Sequence, residues 1–274
     1  MTNRRSLARL FNGQLLRRAI WLALLSLLIL PVSLFAQTPD NLVEIMLDAE
    51  ESYRAGRFEQ AVSEYETVIA AGVEHSTLYY NLGNAYLRQG DLGRAILNFR
   101  RAQRLDPRDD DIANNLDLAR AQTVDKLQVS GLEQVDFGRL VGEWLTLEEM
   151  MVLLLALWFL ICLSAGLYTI MPSYRRELGW LIIGWVGLLF LSAAAIGSSL
   201  YAEAQNPTAV VILSEVEVTE GPGSADEFNV NFALHAGTEV RIIDRRLGWR
   251  QIALPGDLNG WVPNNAIELV TGES

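Results

Sequence analysis

Cysteine and histidine are nearly absent from this chain of 274 residues. Cys162 is the only cysteine and lies in an apolar run, so neither an intramolecular disulfide nor a cysteine-based zinc site can form. The two histidines, His75 and His235, are far apart in sequence. The sequence also has no P-loop, no Gly-x-Ser-x-Gly and no His-Glu-x-x-His. We therefore predict no metal, no cofactor and no catalytic residues, and we do not expect an enzyme.

Positive charge is also scarce. The chain has 22 Lys and Arg against 33 Asp and Glu, a net charge of −11, and Lys126 is its only lysine. Five of the arginines lie in residues 1–36, which leaves 17 basic against 33 acidic residues in the remainder. A surface this acidic argues against a nucleic-acid partner, because phosphates require clustered Lys and Arg. A polybasic lipid-binding tract is missing for the same reason.

The first 36 residues have the pattern of a secretory signal. Five arginines precede the apolar stretch Ala19–Leu30, and Ala36 is followed by polar residues. This order is typical of a signal peptide, either cleaved after Ala36 or retained as a signal anchor. In both cases the arginines hold the N-terminus in the cytoplasm, so the chain that follows is exported.

Two further apolar runs are long enough to cross a bilayer. Residues 150–171 and 178–202 contain no charged side chain, and at about 1.5 Å per residue each helix exceeds the roughly 30 Å hydrocarbon core. Two buried core helices are the alternative interpretation. Arg175 and Arg176 place the connecting loop 172–177 in the cytoplasm by the positive-inside rule. These segments predict a transmembrane hairpin in the bacterial cytoplasmic (inner) membrane.

The exported part before the hairpin contains a repeat of 34 residues. Tyr79-x2-Leu82-Gly83-x2-Tyr86, Gly90, Ala95-x3-Phe99, Ala102 and Pro107 match the tetratricopeptide (TPR) pattern. Gly56, Ala61 and Tyr65 recur 34 residues earlier. We predict an α-helical TPR superhelix over 42–125, with repeats at about 42–75 and 76–109 and a capping helix in 110–125. Residues 126–149 are then a linker.

A TPR superhelix lines a concave groove with the first helix of each repeat. The groove is predicted to hold an extended peptide, with Asn84 on its backbone and Arg88 on an acid; a merely solvated groove is the alternative. A grip on a C-terminal carboxylate is not favoured, because only Arg54 and Arg88 are available. The residues that the repeat phase places in this protein-binding groove are Met46, Glu50, Tyr53, Arg54, Thr77, Tyr80, Asn84, Leu87, Arg88, Asn114 and Leu118.

Residues 208–270 alternate with the period of β-strands. Apolar residues recur at every second position in five short stretches, which Gly- and Pro-containing turns separate. Five short strands in about 60 residues are typical of a small closed barrel. We therefore predict a C-terminal all-β domain, exported like the repeats.

The turn motifs of this segment resemble the bacterial SH3 family. They are Gly221-Pro222, Leu234-x2-Gly237-Thr238-x-Val240, Gly248-Trp249 and Gly260-Trp261-Val262. The resemblance implies an SH3-like barrel, but Thr219 stands where the family often has an arginine. Trp249 and Trp261 are candidate ligand contacts, although Trp261 is also expected to fill the core. Phe228, in a polar loop, is the third candidate.

The order of the parts carries a further resemblance. Exported TPR repeats, a two-span hairpin and a C-terminal SH3-like domain, together with Asn115-Leu116-x2-Ala119-Arg120, resemble the BatE-type proteins of the Bat (Bacteroides aerotolerance) group. The resemblance implies von Willebrand factor A domain Bat proteins and, indirectly, a MoxR-type ATPase as partners in stress or oxygen tolerance. The function expected is a membrane-anchored, periplasm-facing scaffold. A peptidoglycan tether or sensor that acts through the SH3-like domain is the alternative.

Overall fold

The structure is a computed structural model that describes residues 40–125, 146–205, 207–256 and 258–271. The predicted signal segment 1–36 and nearly all of the predicted linker 126–149 lie outside these residues. The chain divides into two compact units. Two apolar helices form the first unit, up to residue 198, and the second contains the helical repeats and the C-terminal strands.

The repeat domain consists of five helices. They are α1 (Asp40–Arg54), α2 (Phe58–Ala70), α3 (Ser76–Gln89), α4 (Leu92–Leu105) and α5 (Asp110–Arg120). Each pair α1–α2 and α3–α4 is one helical hairpin, and α5 follows as a single helix within the predicted stretch 110–125. The chain therefore has an N-terminal helical region of the TPR type.

Small residues let the two helices of the second repeat approach closely. A Cβ atom at Gly83 would lie 2.8 Å from two ring atoms of Phe99, a distance that real Cβ atoms do not show. Gly90 ends α3 in the left-handed conformation at φ 89°, which glycine adopts without strain. Asp91 then caps α4 by accepting the backbone N–H of Arg94. These positions are the TPR signature residues of the sequence, and their spacing follows from this packing.

The first unit contains two long apolar helices, α6 (Leu147–Ile170) and α7 (Arg175–Gln205). Their apolar stretches, Glu149–Ile170 and Pro172–Ser198, are long enough to cross a membrane. Most of their large side chains are exposed, Phe190 to 71% among them, so the alternative of two buried core helices does not fit the packing.

The C-terminal β domain (207–271) is a seven-stranded antiparallel sheet, with strand order β3-β2-β6-β5-β4-β1-β7. Seven strands replace the five expected, because the two last strands are short and one contains Gly260 and Pro263, which hide a strand pattern. The strands are β1 (Thr208–Val211), β2 (Glu215–Thr219), β3 (Val230–His235), β4 (Glu239–Arg246), β5 (Trp249–Ala253), β6 (Asn259–Pro263) and β7 (Ile267–Leu269).

All seven strands contribute to one apolar core, so the sheet must curl around it. Val218, Ile242, Ile252 and Val262 are its fully buried centre. Among the described strands no pairing joins β3 to β7, so the hydrogen-bonded ladder has two edges. The domain is thus an antiparallel all-β fold, and its assignment to the SH3 family stays a prediction.

Strand β1 is buried on both faces, because the repeat domain covers its outer side. Ala209 and Val211 point into the β core, whereas Val210 belongs to the core of the repeats. The approach to α4 is close: a Cβ at Gly93 would lie 2.7 Å from the carbonyl oxygen of Val211. On the other side a Cβ at Gly237 would lie 2.7 Å from Cδ1 of Ile96. The repeats and the β domain therefore pack as one body.

Ion pairs surround this apolar contact. Glu239 of β4 forms an ion pair with Arg100 of α4 at 2.9 Å and another with Arg120 of α5 at 2.6 Å, and Nε of Arg120 also donates a hydrogen bond to it at 2.7 Å. One carboxylate thus links both helices to the sheet. Arg101 of α4 donates at 2.9 Å to Glu268 and to the backbone carbonyl of Leu269. Pairs with two or more hydrogen bonds are geometrically specific. They fix the angle at which the sheet meets the helices.

Asp125, which follows α5, provides a further polar contact with the β domain. Its carboxylate accepts the backbone N–H of His235 at 2.7 Å and the hydroxyl of Thr238 at 2.7 Å. Burial acts to raise the pKa of Asp125, but the hydrogen bonds from Thr238 and His235 outweigh it and lower the pKa below its usual value. The charged form of Asp125 therefore stabilises the contact.

We expect Gly93→Ala to lower the free energy of unfolding of this unit by about 1–3 kcal/mol, the usual cost of overpacking. Helix propensity alone would favour alanine by about 1 kcal/mol. The sign of the change in the free energy of unfolding therefore distinguishes overpacking from helix propensity. Gly184→Ala is the matched control, because it is also helical and its Cβ meets nothing within 4 Å. Thermal and denaturant unfolding measure the change. An unaltered or raised stability of Gly93→Ala would contradict the close approach to β1.

We expect Asp125→Asn to destabilise the unit at neutral pH by about 1–3 kcal/mol, since a charged acceptor of two hydrogen bonds is lost. The folded pKa is lower than the ordinary value of 3.8. The contribution is therefore complete above that value and disappears as the pH falls through the folded pKa. Unfolding curves at neutral and acid pH should show the two proteins converging in acid. Glu217→Gln, an exposed carboxylate on β2, is the control; a difference that persists in strong acid would contradict the assignment.

Candidate functional site

The predicted groove residues lie on α1, α3 and α5. Arg54, Thr77, Arg88, Asn114 and Leu118 are exposed, and the rest of the set is half-buried. Asn114 and Leu118 are four residues apart and so lie on one face of α5. A mixture of exposed and half-buried side chains is what a ligand surface requires, since fully buried residues could not be reached. The same mixture of exposed and half-buried side chains is also expected for a groove that is merely solvated.

A hydrogen-bonded amide pair joins α3 to α5. Nδ2 of Asn115 donates to Oδ1 of Asn84 at 2.8 Å and to the hydroxyl of Tyr80 at 3.0 Å. All three side chains are half-buried. Both protons of Asn115 are thus used, while its Oδ1 and the Nδ2 of Asn84 have no partner among the described residues. The pair leaves one acceptor and one donor unused.

The two arginines of the groove are already engaged. Arg54 forms an ion pair with Glu50 one helical turn away. The guanidinium of Arg88 lies 5.3 Å from the ring centroid of Phe58, whose ring also meets Tyr53 edge to face at 5.5 Å. A cation–π contact of this kind contributes about 0.5–1 kcal/mol at an exposed site. Either arginine would therefore have to lose an existing contact in order to bind a C-terminal carboxylate.

Tyr65 and Tyr86 of the repeat core stay neutral at physiological pH, because their pKa values are raised. Burial, followed by the charge of Glu50, raises the pKa of Tyr65 to about 12. Burial and a hydrogen bond to Glu66 raise the pKa of Tyr86. A neutral buried phenol is a hydrogen-bond partner and a core residue rather than a nucleophile or a base. These shifts therefore describe packing, not chemistry.

Phe228, predicted as an exposed contact, packs against a turn. A Cβ at Gly221 would lie 2.2 Å from its ring, and a Cβ at Gly223 would lie 2.7 Å away. The ring thus lies directly on the backbone of the Gly221-Pro222-Gly223 turn and keeps 38% of its surface exposed. The two glycines of this turn leave the space that Phe228 occupies. One face of the ring is used internally.

The two tryptophans differ in accessibility. Trp261 is only 5% exposed and has the guanidinium of Arg246 at 5.2 Å from its ring centroid. Its prediction as a ligand contact does not fit this burial, whereas the expectation that it fills the core does. Trp249 is half-buried, next to the β4–β5 turn, and pairs across the hairpin with Arg246. Of the three candidate aromatic side chains, Phe228 and Trp249 are therefore accessible to a ligand, whereas Trp261 is buried.

Thr219 has a structural role that its sequence position did not suggest. It is 2% exposed, and its hydroxyl donates to the carbonyl of Gly221 at 2.8 Å. The carbonyls of Gly223 and Trp261 lie at 3.1 and 3.2 Å from the same oxygen. The hydroxyl thus ties the turn under Phe228 to strand β6. Thr219, which stands where the SH3 family often has an arginine, is therefore a buried hydrogen-bonding residue in this chain.

Asn115 is the groove residue that the repeat phase missed. The phase compares Asn114 with Tyr80 and Leu118 with Asn84, so Asn115 corresponds to Asn81 on the neighbouring face. The signal was present, because the pair Asn-Leu recurs 34 residues apart at 81 and 115. A recurring amide between two repeats indicates a side chain that reaches back to the preceding helix.

The comparisons with known proteins agree with the helical part. A family model of the tetratricopeptide repeat matches residues 49–110. The chain has no match among curated proteins. Tetratricopeptide repeats are a non-catalytic scaffold family, which suggests that the region binds protein partners. Within the described residues no group of three His, Cys, Asp or Glu side chains could hold a metal ion.

We expect Thr219→Val to destabilise the β domain by about 1–3 kcal/mol, because buried carbonyls lose their donor while the shape is kept. Denaturant unfolding followed by tryptophan fluorescence measures the loss. Thr208→Val, at the first residue of β1, makes the same chemical change where the hydroxyl has no hydrogen-bond partner among the described residues, and it is expected to be nearly neutral. Equal stabilities for the two variants would argue against the cross-link.

Proposed function

We propose that this protein is a membrane-anchored scaffold whose TPR groove holds an extended segment of a protein partner on the periplasmic side. The observation that carries the proposal is the amide pair between α3 and α5. Asn84 and Asn115 hold each other in place and leave one donor and one acceptor unused. Preorganised hydrogen-bonding groups bind with a smaller loss of entropy than mobile ones.

The amide pair matches the chemistry of a peptide backbone. Every peptide unit except that of proline has one N–H and one C=O, and Oδ1 of Asn115 with Nδ2 of Asn84 complements both. Contacts to the backbone are tolerant of sequence. Specificity then comes from the half-buried Met46 and Leu87 and from Leu118, which is 56% exposed. The ligand expected is an extended segment with apolar side chains.

The charges of the groove support an internal segment over a chain terminus. Glu50 neutralises Arg54, and Arg88 is placed on Phe58. A C-terminal carboxylate would have to displace both contacts, whereas an internal segment leaves them intact. The groove is therefore proposed to bind within a partner chain.

The apolar helices α6 and α7 support the location. If they cross the inner membrane as a hairpin, the repeats and the β domain lie on one side, and the arginines at 175 and 176 place the loop in the cytoplasm. Partners are then membrane proteins. The resemblance to BatE-type proteins supports von Willebrand factor A domain Bat proteins, with a MoxR-type ATPase as an indirect partner, in stress or oxygen tolerance.

The test is crosslinking in intact cells, purification of the full-length protein in mild detergent, and mass spectrometry of what accompanies it. We expect Asn84→Ala combined with Asn115→Ala to reduce recovery of a defined set of membrane proteins by about tenfold or more, which corresponds to one lost hydrogen-bonded anchor. Because both amides are removed together, neither asparagine is left behind without the partner that it has in the pair. Unchanged thermal unfolding shows that the helices are intact.

Gln60→Ala combined with Gln122→Ala is the matched control, since both are exposed amides outside the predicted groove, Gln60 on α2 and Gln122 in the turn after α5. Full recovery of partners by the groove variant would contradict the proposal. Recovery of peptidoglycan fragments instead, lost on Trp249→Ala, would favour the cell-wall tether, for which the half-buried Trp249 is the available contact.

A further inference from the structure

The β domain concentrates its positive charge in a single hairpin. All four Lys and Arg side chains of residues 207–271 lie on β4 and β5, at positions 241, 245, 246 and 250, in a chain of net charge −11. The sequence shows no long basic tract, because the four arginines are interrupted by apolar residues and by Asp244 and are divided between two strands. The fold brings them together.

Three of these arginines form the tip of the hairpin. Arg245 lies directly opposite Arg250, and Arg246 lies opposite Trp249 on the other face, so both faces are cationic. The apex is Leu247, whose side chain is fully exposed. Asp244 is the acid of this tip, 3.6 Å from Arg246. Among the described residues Arg245 and Arg250 form no ion pair.

This arrangement has a cost in the free protein. Like charges directly opposite one another on neighbouring strands are destabilising. Burial, and then the charge of Arg245, lowers the pKa of Arg250, which is the direction that repulsion and desolvation give a cation. An anion placed between or beside the two guanidinium groups would relieve both effects.

The connection between the apolar stretch of α7 and the β domain is short. The apolar stretch of α7 ends at Ser198, and residues 199–205 extend the helix by about 10 Å. Only two residues then separate α7 from β1. Polar headgroups occupy the outer part of a bilayer that is about 40–45 Å thick in total. If α7 crosses the membrane as proposed, the chain enters β1 within a few residues of this layer.

We propose that the β4–β5 tip binds anionic phospholipid headgroups, with Arg245, Arg246 and Arg250 on the phosphates and Leu247 inserted between them. A fully exposed leucine between arginines suits an interface that is apolar inside and anionic at its surface. An acidic protein would satisfy the arginines but gives no reason for the fully exposed leucine at the apex. The inference rests on the membrane anchoring in the proposed function.

The test uses the full-length protein in lipid nanodiscs. Leu247→Cys in a Cys162→Ala background gives a single labelling site for a polarity-sensitive fluorophore. We expect a blue shift of its emission in nanodiscs of phosphatidylglycerol mixed with phosphatidylcholine, and none in phosphatidylcholine alone. High salt should reverse the shift, because exposed charges are screened within about 3 Å at 1 M ionic strength.

Neutralising the tip with Arg245→Gln, Arg246→Gln and Arg250→Gln should weaken this contact by about 100-fold and abolish the shift. Arg57→Gln, Arg104→Gln and Arg108→Gln remove the same charge from the repeat domain and should leave the shift intact. A label at Leu258, which is 44% exposed in the β5–β6 turn, reports whether the response is specific to the tip.

The outcomes separate the inference from the proposed function. A protein that does not co-elute with nanodiscs overturns the anchoring and the inference with it. A protein that co-elutes but gives the same emission in both lipids, or a shift that survives tip neutralisation, overturns the inference alone. Photocrosslinking from position 247 to a protein in cell membranes, without a lipid response, would assign the tip to an acidic partner and also overturn it.

Discussion

Helix α4 is buried on two sides, and the arrangement of the repeats and the β domain depends on this constraint. One side closes the second repeat, where Phe99 fills the space left by Gly83. The other side lies against β1, where Val210 leaves the sheet and joins the core of the repeats. A helix with two apolar faces cannot turn or slide without opening one of two cores. The repeats and the β domain consequently share one stability.

The groove inherits its geometry from this contact through α5. The N-terminal part of α5 reaches α3 by way of Asn115, and its last residue, Arg120, shares Glu239 with Arg100 of α4. Asp125 extends the same connection to His235 and Thr238. A single helix thus contacts the predicted groove and the sheet. Its position is defined even though it is the terminal helix of the array, where a capping helix would otherwise have one free side.

What the sequence revealed depended on how local the signal was. Gly83, Gly90 and Ala95 recur at fixed spacing with their packing partners, and the helices follow from that spacing. Gly93 and Gly237 carry the contact between the domains, but they lie far apart in the chain and belong to no periodic pattern, so their role was invisible. Thr219 was understood only as a missing arginine, because a buried hydroxyl that serves three carbonyls has no sequence signature. The sequence analysis placed Asn114 in the groove and not its neighbour Asn115. The repeat phase identifies the helix face that lines the groove, but it does not show that the side chain of Asn115 contacts the preceding helix α3.

The shared burial of β1 also limits how this chain can be divided. Without the β domain, Leu92 and Ile96 would face water where Gly237 and Val210 now lie. Without the repeats, one whole side of β1 would be uncovered. A truncated fragment would therefore report the loss of a common core before it reported the loss of any partner. In evolutionary terms, we expect the two parts to be inherited together. A homologous domain could replace either part only if the contacting surface of the other part changed with it.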